Sequence, residues 1–438
     1  MRILIENAAV MTMDEEKRLF DPGYVLIDEN RIAAVGAGKC TLPYEEAVDG
    51  TGKILMPGMI NIHTHIPMIP FRSMGDDCPD RLRKFLFPLE LEAMTPELVY
   101  LSSQYAICEM LLSGVTTFLD MYYFEDQVAK ACEELGIRGY LGETVIEAPT
   151  CDSPEPYGGL IYGEDFIRNW QGHDLVTPLI APHATNTNSP KMLQKAGELA
   201  KKYRTFLTLH VSEMDYELAY FRETYHQTPT EFLYDLGLLG PNTIAAHCIH
   251  MTDRDLELLS VTGTKVAHCI GSNTKAGKGV SPVKEMVGKG ITVGLGTDGP
   301  SSGNTLDLFT QFRLFASFQK TKYRERGLFP AQEILALGTI EGARALGAGD
   351  DLGSIEIGKK ADLVLVETDS VNMFPIYNPY SALVYSANAS NVDTVFVNGR
   401  MVVKNKRLLT ADPAQIRKEL SYAMAAFNRQ AEKYSDLI

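Results

Sequence analysis

The 438-residue sequence predicts an α/β fold, a (β/α)8 TIM barrel with a small β-sandwich domain built from both chain ends. Three observations lead there. Eight short apolar runs alternate with helix patterns through the middle of the chain. Alternating β patterns occupy both ends. Histidines recur where the apolar runs stop, and in a barrel the C-terminal strand ends carry the chemistry.

Taken in order, residues 1–57 hold the β patterns RILIENAAVMTM, GYVLIDENRIAAVG and KILMPG, punctuated by Gly and Pro. The apolar runs follow: MINIH (59–63), VTTFLD (115–120), IRGYLGE (137–143), LVTPLIAPH (175–183), TFLTLH (205–210), TIAAH (243–247), KVAH (265–268) and ITVGLGTD (291–298). Strands of a parallel barrel are buried on both faces and therefore read as continuous apolar stretches. Helix patterns such as ELVYLSSQYAICEMLL and TEFLYDLGLL lie between them. The segment from Glu147 to Tyr162, rich in Pro and Gly, is expected as a lid. β texture returns in GSIEIGKKADLVLVET (353–368) and VDTVFVNGRMVVKN (392–405). The expected domains are 1–57 with 350–410 as the small β domain, 58–349 as the barrel and 411–438 as a C-terminal helix.

Lys and Arg number 41 against 56 Asp and Glu, a formal charge of -15. An acidic chain without a basic block repels phosphate backbones, so nucleic acid is not an expected partner. The cysteines are seven, an odd number with no C-x-x-C pair, which suggests neither a disulfide framework nor a thiolate zinc site. The N-terminus turns acidic after a short apolar stretch and no apolar run reaches spanning length. Neither a signal peptide nor a membrane segment is expected, and a cytoplasmic location is.

His63 and His65 are one residue apart in INIHTHIPM, so on a strand both point the same way. Two imidazoles on one face make half a metal site. Seven of the nine histidines fall at or just beyond run ends: His63, His65, His183, His210, His247, His250 and His268. His173 and His226 lie in connecting segments and carry no expectation.

The chain resembles the amidohydrolase superfamily of metal-dependent hydrolases over nearly its whole length. PGMINIHTH resembles the first-strand motif, HVSE (210–213) the fifth-strand histidine with the glutamate of the aminohydrolase branch, and AAHCIH (245–250) the sixth strand. GLGTDGPSS (294–302) is similar to the eighth-strand aspartate motif, and GSIEIGKKADLVLV to the return into the small β domain. The branch it looks most like holds S-adenosylhomocysteine/methylthioadenosine deaminases, guanine-type deaminases and triazine hydrolases.

That resemblance implies His63, His65, His210 and Asp298 as ligands of one divalent metal. Zinc is favoured, and iron also accepts imidazole and carboxylate. Members with two metals use a fourth-strand lysine, whereas this strand ends in PHAT with no lysine, so a single metal is expected. Asp298 is expected to take a proton from the attacking water, His247 to hold and polarise that water, and Glu213 to protonate the ring nitrogen next to the attacked carbon. Ammonia then leaves. The implied reaction is hydrolytic deamination of a small heterocycle of purine, pterin, pyrimidine or triazine type, by a dimer or tetramer.

For the substrate, the tryptophan that stacks on purines in adenosine-derivative deaminases is replaced by Arg81 in DDCPDRLRKFLFPLE, while Glu90 persists as the ribose-binding glutamate. The arginine that holds a substrate carboxylate is replaced by Glu143 in LGETVI, a charge reversal that argues against S-adenosylhomocysteine. Glu143, His183 and Glu90 are the expected substrate contacts, with Asn273 and Ser301 lining the same mouth. Two alternatives keep the fold: displacement of chloride or an alkylamine from a triazine-like ring, or a catalytically silent scaffold.

Three glycine patterns are set aside. GLGTDG (294–299) fits G-x-G-x-x-G but has no acidic residue about twenty positions on. GPSSG (299–303) fits G-x-S-x-G but belongs to the same barrel-strand exit. GSNTKAGKG (271–279) imitates a phosphate loop with five residues between its glycines and no Ser or Thr after Lys278.

Overall fold

The computed structural model describes residues 1–437. Its centre is an eight-stranded parallel sheet, one strand for each apolar run: Met59–Thr64, Val115–Tyr122, Arg138–Val145, Val176–Pro182, Leu207–Val211, Thr243–His247, Lys265–His268 and Val293–Leu295. Helices such as Pro96–Leu112, Pro190–Tyr203 and Leu308–Tyr323 fill the intervals. The strands are apolar on both faces for two different reasons. Ile60, Ile62, Leu119, Leu179, Ile244 and Ala267 fill the barrel interior, while Val115, Phe118, Leu141, Leu209, Val266 and Leu295 pack outward beneath the helices. This double burial makes each run read as continuous hydrophobicity.

The eighth strand is shorter than its run suggests. After Leu295 the backbone leaves the ladder, and Asp298 takes a left-handed conformation at φ 62°. Closure onto the first strand is made by discrete bonds instead. Asp298 N donates to His63 O at 3.0 Å. Asn61 Nδ2 donates to Thr297 Oγ1 at 2.7 Å, and Thr297 N returns a bond to Asn61 Oδ1 at 3.0 Å.

Both chain ends meet in a nine-stranded mixed sheet. Lys53–Pro57 runs parallel to Arg2–Met11 on one side and antiparallel to Leu363–Glu367 on the other, with Met56 opposite Val364. Ile3, Ile5, Val25, Leu55, Leu363 and Phe396 form its own apolar core. A single residue, Gly58, links that sheet to the first barrel strand, and a Cβ there would lie 2.1 Å from Thr116 Oγ1. Near the end of the chain, helix Pro413–Ala431 is capped by Asp412 and buries Ile416, Leu420 and Phe427. Phe427 meets the ring of Phe71 edge-on at 4.8 Å, bracing the segment that follows the first strand.

The expected lid is a correction. Residues 146–158 fold into turns, and helix Gly159–Trp170 begins inside the segment. None of residues 147–162 lines the cavity; its outer wall comes from the stretch Asp76 to Glu90. Among the described residues no helix is long and apolar enough to cross a membrane.

Candidate metal centre and active site

The first strand carries an irregularity where it matters. Asn61 pairs with Phe118 and Thr64 with Asp120, so three steps on one strand span two on its neighbour. A bulge of this kind re-aims side chains. Ile62 faces the barrel interior, and His63 and His65 both turn toward its upper opening, where their rings stand 4.9 Å apart.

His210, at the end of the fifth strand, joins them; the three residues each place a ring nitrogen within 4.8 Å of the others. His65 Nδ1 bonds Met121 O at 2.6 Å and His210 Nδ1 bonds His183 O at 2.6 Å. Each Nδ1 therefore carries the proton, and two Nε2 lone pairs face each other across 3.4 Å. A cation held between them satisfies both lone pairs. Both ring nitrogens of His63 are buried without a hydrogen-bond partner, an expensive state unless one is a ligand. Burial, then the neighbouring imidazoles, push His63 and His210 well below the usual histidine range, into the neutral form a metal needs.

Asp298 supplies the carboxylate. Its Oδ1 lies 3.3 Å from His65 Nε2 and accepts from Gly299 N at 2.7 Å. Its Oδ2 accepts from Ser272 Oγ at 2.5 Å. Burial opposes ionisation, but His65, His247, His63 and the Lys278 ammonium outweigh it and hold the carboxyl well below the carboxylate range. Three imidazoles and one carboxylate converging on one point is a donor set that fits zinc with a position left open.

His247 ends the sixth strand with φ at 70°. Its Nδ1 bonds Asn273 Oδ1 at 2.8 Å, leaving Nε2 aimed at Glu213 Oε1, 3.6 Å away. Glu213 sits in a turn fastened by Glu217, whose carboxylate accepts from Ser212 N at 3.2 Å and Glu213 N at 2.9 Å. Burial works against ionisation of Glu213, yet His247 and Lys278 hold it far below the usual range.

His65, His210, Glu213, Ser272 and Asp298 floor a cavity of about 500 Å³, within the usual span of small-molecule sites, with His63 and His247 buried behind them. His183, Glu90 and Ser301 line it, together with Arg81. Burial and the His65 imidazole push His183 down to about 4. Burial pushes Glu90 up to about 7, against the opposing effect of the Tyr122 hydroxyl.

Two expected cavity residues stand elsewhere. Glu143 is fully buried and faces helix Gly159–Trp170, where a Cβ on Gly163 would lie 3.3 Å from its own Cβ; its Oε2 accepts from Glu125 N at 3.1 Å. The third strand runs on to Val145, so alternation turns Glu143 outward and gives Thr144 to the cavity. Glu143 therefore cannot repel a substrate carboxylate, and the argument drawn from its charge falls away. Asn273 is fully buried beneath His247 rather than at the mouth. Of the other strand-end histidines, His250 pairs with Asp215 at 3.2 Å and His268 packs edge-on against Phe315 at 5.7 Å.

Several contributors were missed from sequence. Asp120 accepts from Thr64 Oγ1 at 2.5 Å and Ile66 N at 2.7 Å, fixing the backbone around His65; an acid closing an apolar run was its signal. Glu217 had only its position four residues after Glu213. The glycines of GLGTDG have a steric use. Cβ atoms at Gly294, Gly296 and Gly299 would lie 2.7 Å from Ile62 Cδ1, 2.9 Å from His63 Cβ and 2.9 Å from His65 Cβ respectively. The motif that imitates a dinucleotide loop is the seam along which the eighth strand presses against the ligand strand.

Known proteins place this arrangement. The chain is 37% identical over 425 residues to the 5-methylthioadenosine/S-adenosylhomocysteine deaminase of Syntrophobacter fumaroxidans, covering 96% of this chain and 97% of that one. It is 36% identical over 425 residues to the 5'-deoxyadenosine deaminase of Methanosarcina barkeri, again covering 96% and 97%. A solved adenosine deaminase from Xanthomonas campestris with bound zinc superposes with a TM-score of 0.94 at 29% identity, covering 98% of both chains. Residues 54–402 match the amidohydrolase family. The chain belongs to that family, as a metal-dependent hydrolase of carbon–nitrogen bonds in cyclic amidines.

Proposed function

We propose that the protein deaminates a 6-aminopurine nucleoside of the adenosine type, releasing ammonia. The observation that carries this reading is the meeting, at one end of a single cavity, of a four-residue donor set for a metal with Glu213 and, behind it, His247. The similarity to deaminases of adenosine derivatives supports the purine class. His63, His65, His210 and Asp298 would hold zinc, which when bound lowers the pKa of a coordinated water to about 7 and so supplies hydroxide at neutral pH.

The chain's own groups move the protons. His247, its tautomer set by Asn273, orients the water for attack through Nε2. Glu213 starts ionised, because Lys278 pairs with it, so it first accepts a proton from the water and then hands it to the ring nitrogen beside the attacked carbon. Asp298 takes the remaining hydroxyl proton and returns it to the departing amino group, which leaves as ammonia. Glu90 accepts from the sugar hydroxyls, and His183 and Ser301 bound the ring.

The barrel and small sheet are proposed to divide at 57/58 and near 350, with the helix from 411 as an appendage to the barrel. The protein is further proposed to act as a homo-oligomer in the cytoplasm, without nucleic-acid partners. The nearly bare side chains of Val371 and Tyr377, 97% and 94% exposed, support association, and sedimentation velocity tests it.

The functional test is ammonia release by the zinc-loaded chain from adenosine, 5'-deoxyadenosine, 5'-methylthioadenosine, S-adenosylhomocysteine and guanine. Turnover of one or more adenosine derivatives is expected. Turnover of guanine alone, or of none, would overturn the nucleoside assignment.

A further inference from the structure

The segment GSNTKAGKG (271–279), which imitates a phosphate loop, has a different use in the structure. Helix Ile270–Lys275 presents Ser272 to Asp298 and Asn273 to His247. The chain then turns back, with Lys278 N donating to Asn273 O at 2.9 Å. Gly277 at φ 65° and Gly279 at φ 126° flank it, both conformations that side chains rarely adopt. This paired glycine turn drops the Lys278 side chain into the cavity, where it is only 16% exposed. Its Nζ lies 2.5 Å from Glu213 Oε1. The other charges acting on it are those of Asp298 and Arg81.

A buried ion pair adds little to stability by itself, because desolvation cancels most of the attraction. Here the pair also opens onto the substrate cavity rather than into the core, so a purely structural role leaves its position unexplained. Its geometry has a chemical consequence. The ammonium occupies Oε1 of Glu213, the oxygen that also faces His247, and among the described residues no side chain bonds Oε2. A positive neighbour also makes a protonated Glu213 a stronger acid, favouring delivery of its proton onward.

Resting on the deaminase reading, we propose that Lys278 is a positioning residue for proton transfer: it pins Oε1 of Glu213 and leaves Oε2 to exchange the proton with the substrate ring.

The test is a double-mutant cycle on the zinc-loaded chain with 5'-deoxyadenosine, comparing wild type, K278M, E213Q and K278M/E213Q. K278M should lower kcat by about 10- to 100-fold, the worth of a charge-assisted hydrogen bond, with KM within about twofold. K278R should recover part of the loss. In the E213Q background K278M should cost nothing further, because the group it acts through is gone. Additive losses, an effect confined to KM, or an unchanged kcat would each overturn the proposal.

A readout without substrate separates this inference from the deaminase reading. The Lys278 ammonium, followed by nitrogen-15 NMR in the zinc-loaded protein, should exchange its protons slowly, and E213Q should speed that exchange. Indifference to E213Q would overturn the pairing even if K278M failed to fold. If the wild type released no ammonia from any adenosine derivative, the deaminase reading would fall while slow, Glu213-dependent exchange would uphold the pairing.

Discussion

Replacing Gly296 with alanine tests whether the glycine seam holds the metal ligands in place. A Cβ there would lie 2.9 Å from His63 Cβ, 3.0 Å from Cys269 Sγ and 3.0 Å from His63 O. Ordinary contact begins at 3.4 Å, so the first strand must retreat by about half an ångström. Two of the three obstacles belong to His63 itself, which leaves no flexible side-chain end to absorb the change. Metal–ligand distances tolerate only about 0.2 Å, so the displacement strains coordination directly. A loss of about 10- to 100-fold in zinc affinity is expected, the range seen when support for a ligand is removed. The overpacking should also cost about 1–3 kcal/mol of stability. The assay is zinc retained against a graded chelator series, with circular dichroism to follow folding. Gly327→Ala is the control, since a Cβ there meets nothing within 4 Å. Wild-type zinc affinity in a folded Gly296→Ala variant would refute the seam.

Asn273→Leu removes the acceptor that sets the His247 tautomer, so kcat should fall by about 10²-fold or more, in the range of lost acid–base help, while zinc content by metal analysis stays at one per chain. Glu90 keeps its proton until pH about 7, so KM for a nucleoside should fall as pH rises through that value, and Glu90→Gln should flatten the profile. Because the folded chain holds that proton more tightly than the unfolded chain, wild-type stability is lost as pH rises from 4.5 to about 7, and chemical denaturation should show Glu90→Gln gaining on it across that window. Stripping zinc should lower stability by about 2.7 kcal/mol relative to protein held at a free zinc concentration one hundred times Kd, read as a fall in Tm that added zinc reverses.

The barrel was legible because its strands are buried twice over; the expected ligand set came from the likeness of PGMINIHTH, HVSE and GLGTDGPSS to family motifs, and the run-end histidines showed only which face to look at. Direction at those ends was the harder matter. His63 and His65 reach the opening through a bulge that no spacing rule announces, although their shared direction follows from alternation alone. Glu143 shows the opposite outcome: its strand continues two residues further than its apolar run suggests, and one step of alternation exchanges it for Thr144. Asn273 and Lys278 lie on one short helix and its turn, where a sequence pattern names the glycines but not the neighbours. The lid failed for a related reason. Pro and Gly in 147–162 signal irregular backbone, not its position relative to the opening.

The division of the cavity between its floor and its wall has a consequence for how such a protein could diversify. Every floor residue projects from a strand end or turn that the barrel's hydrogen bonds fix, and a change there disturbs the metal. The outer wall, from Asp76 to Glu90, is one uninterrupted stretch of chain that contributes none of the proposed metal ligands. A different sequence along this stretch would change which molecule arrives, while the hydrolytic deamination carried out on the floor stays the same.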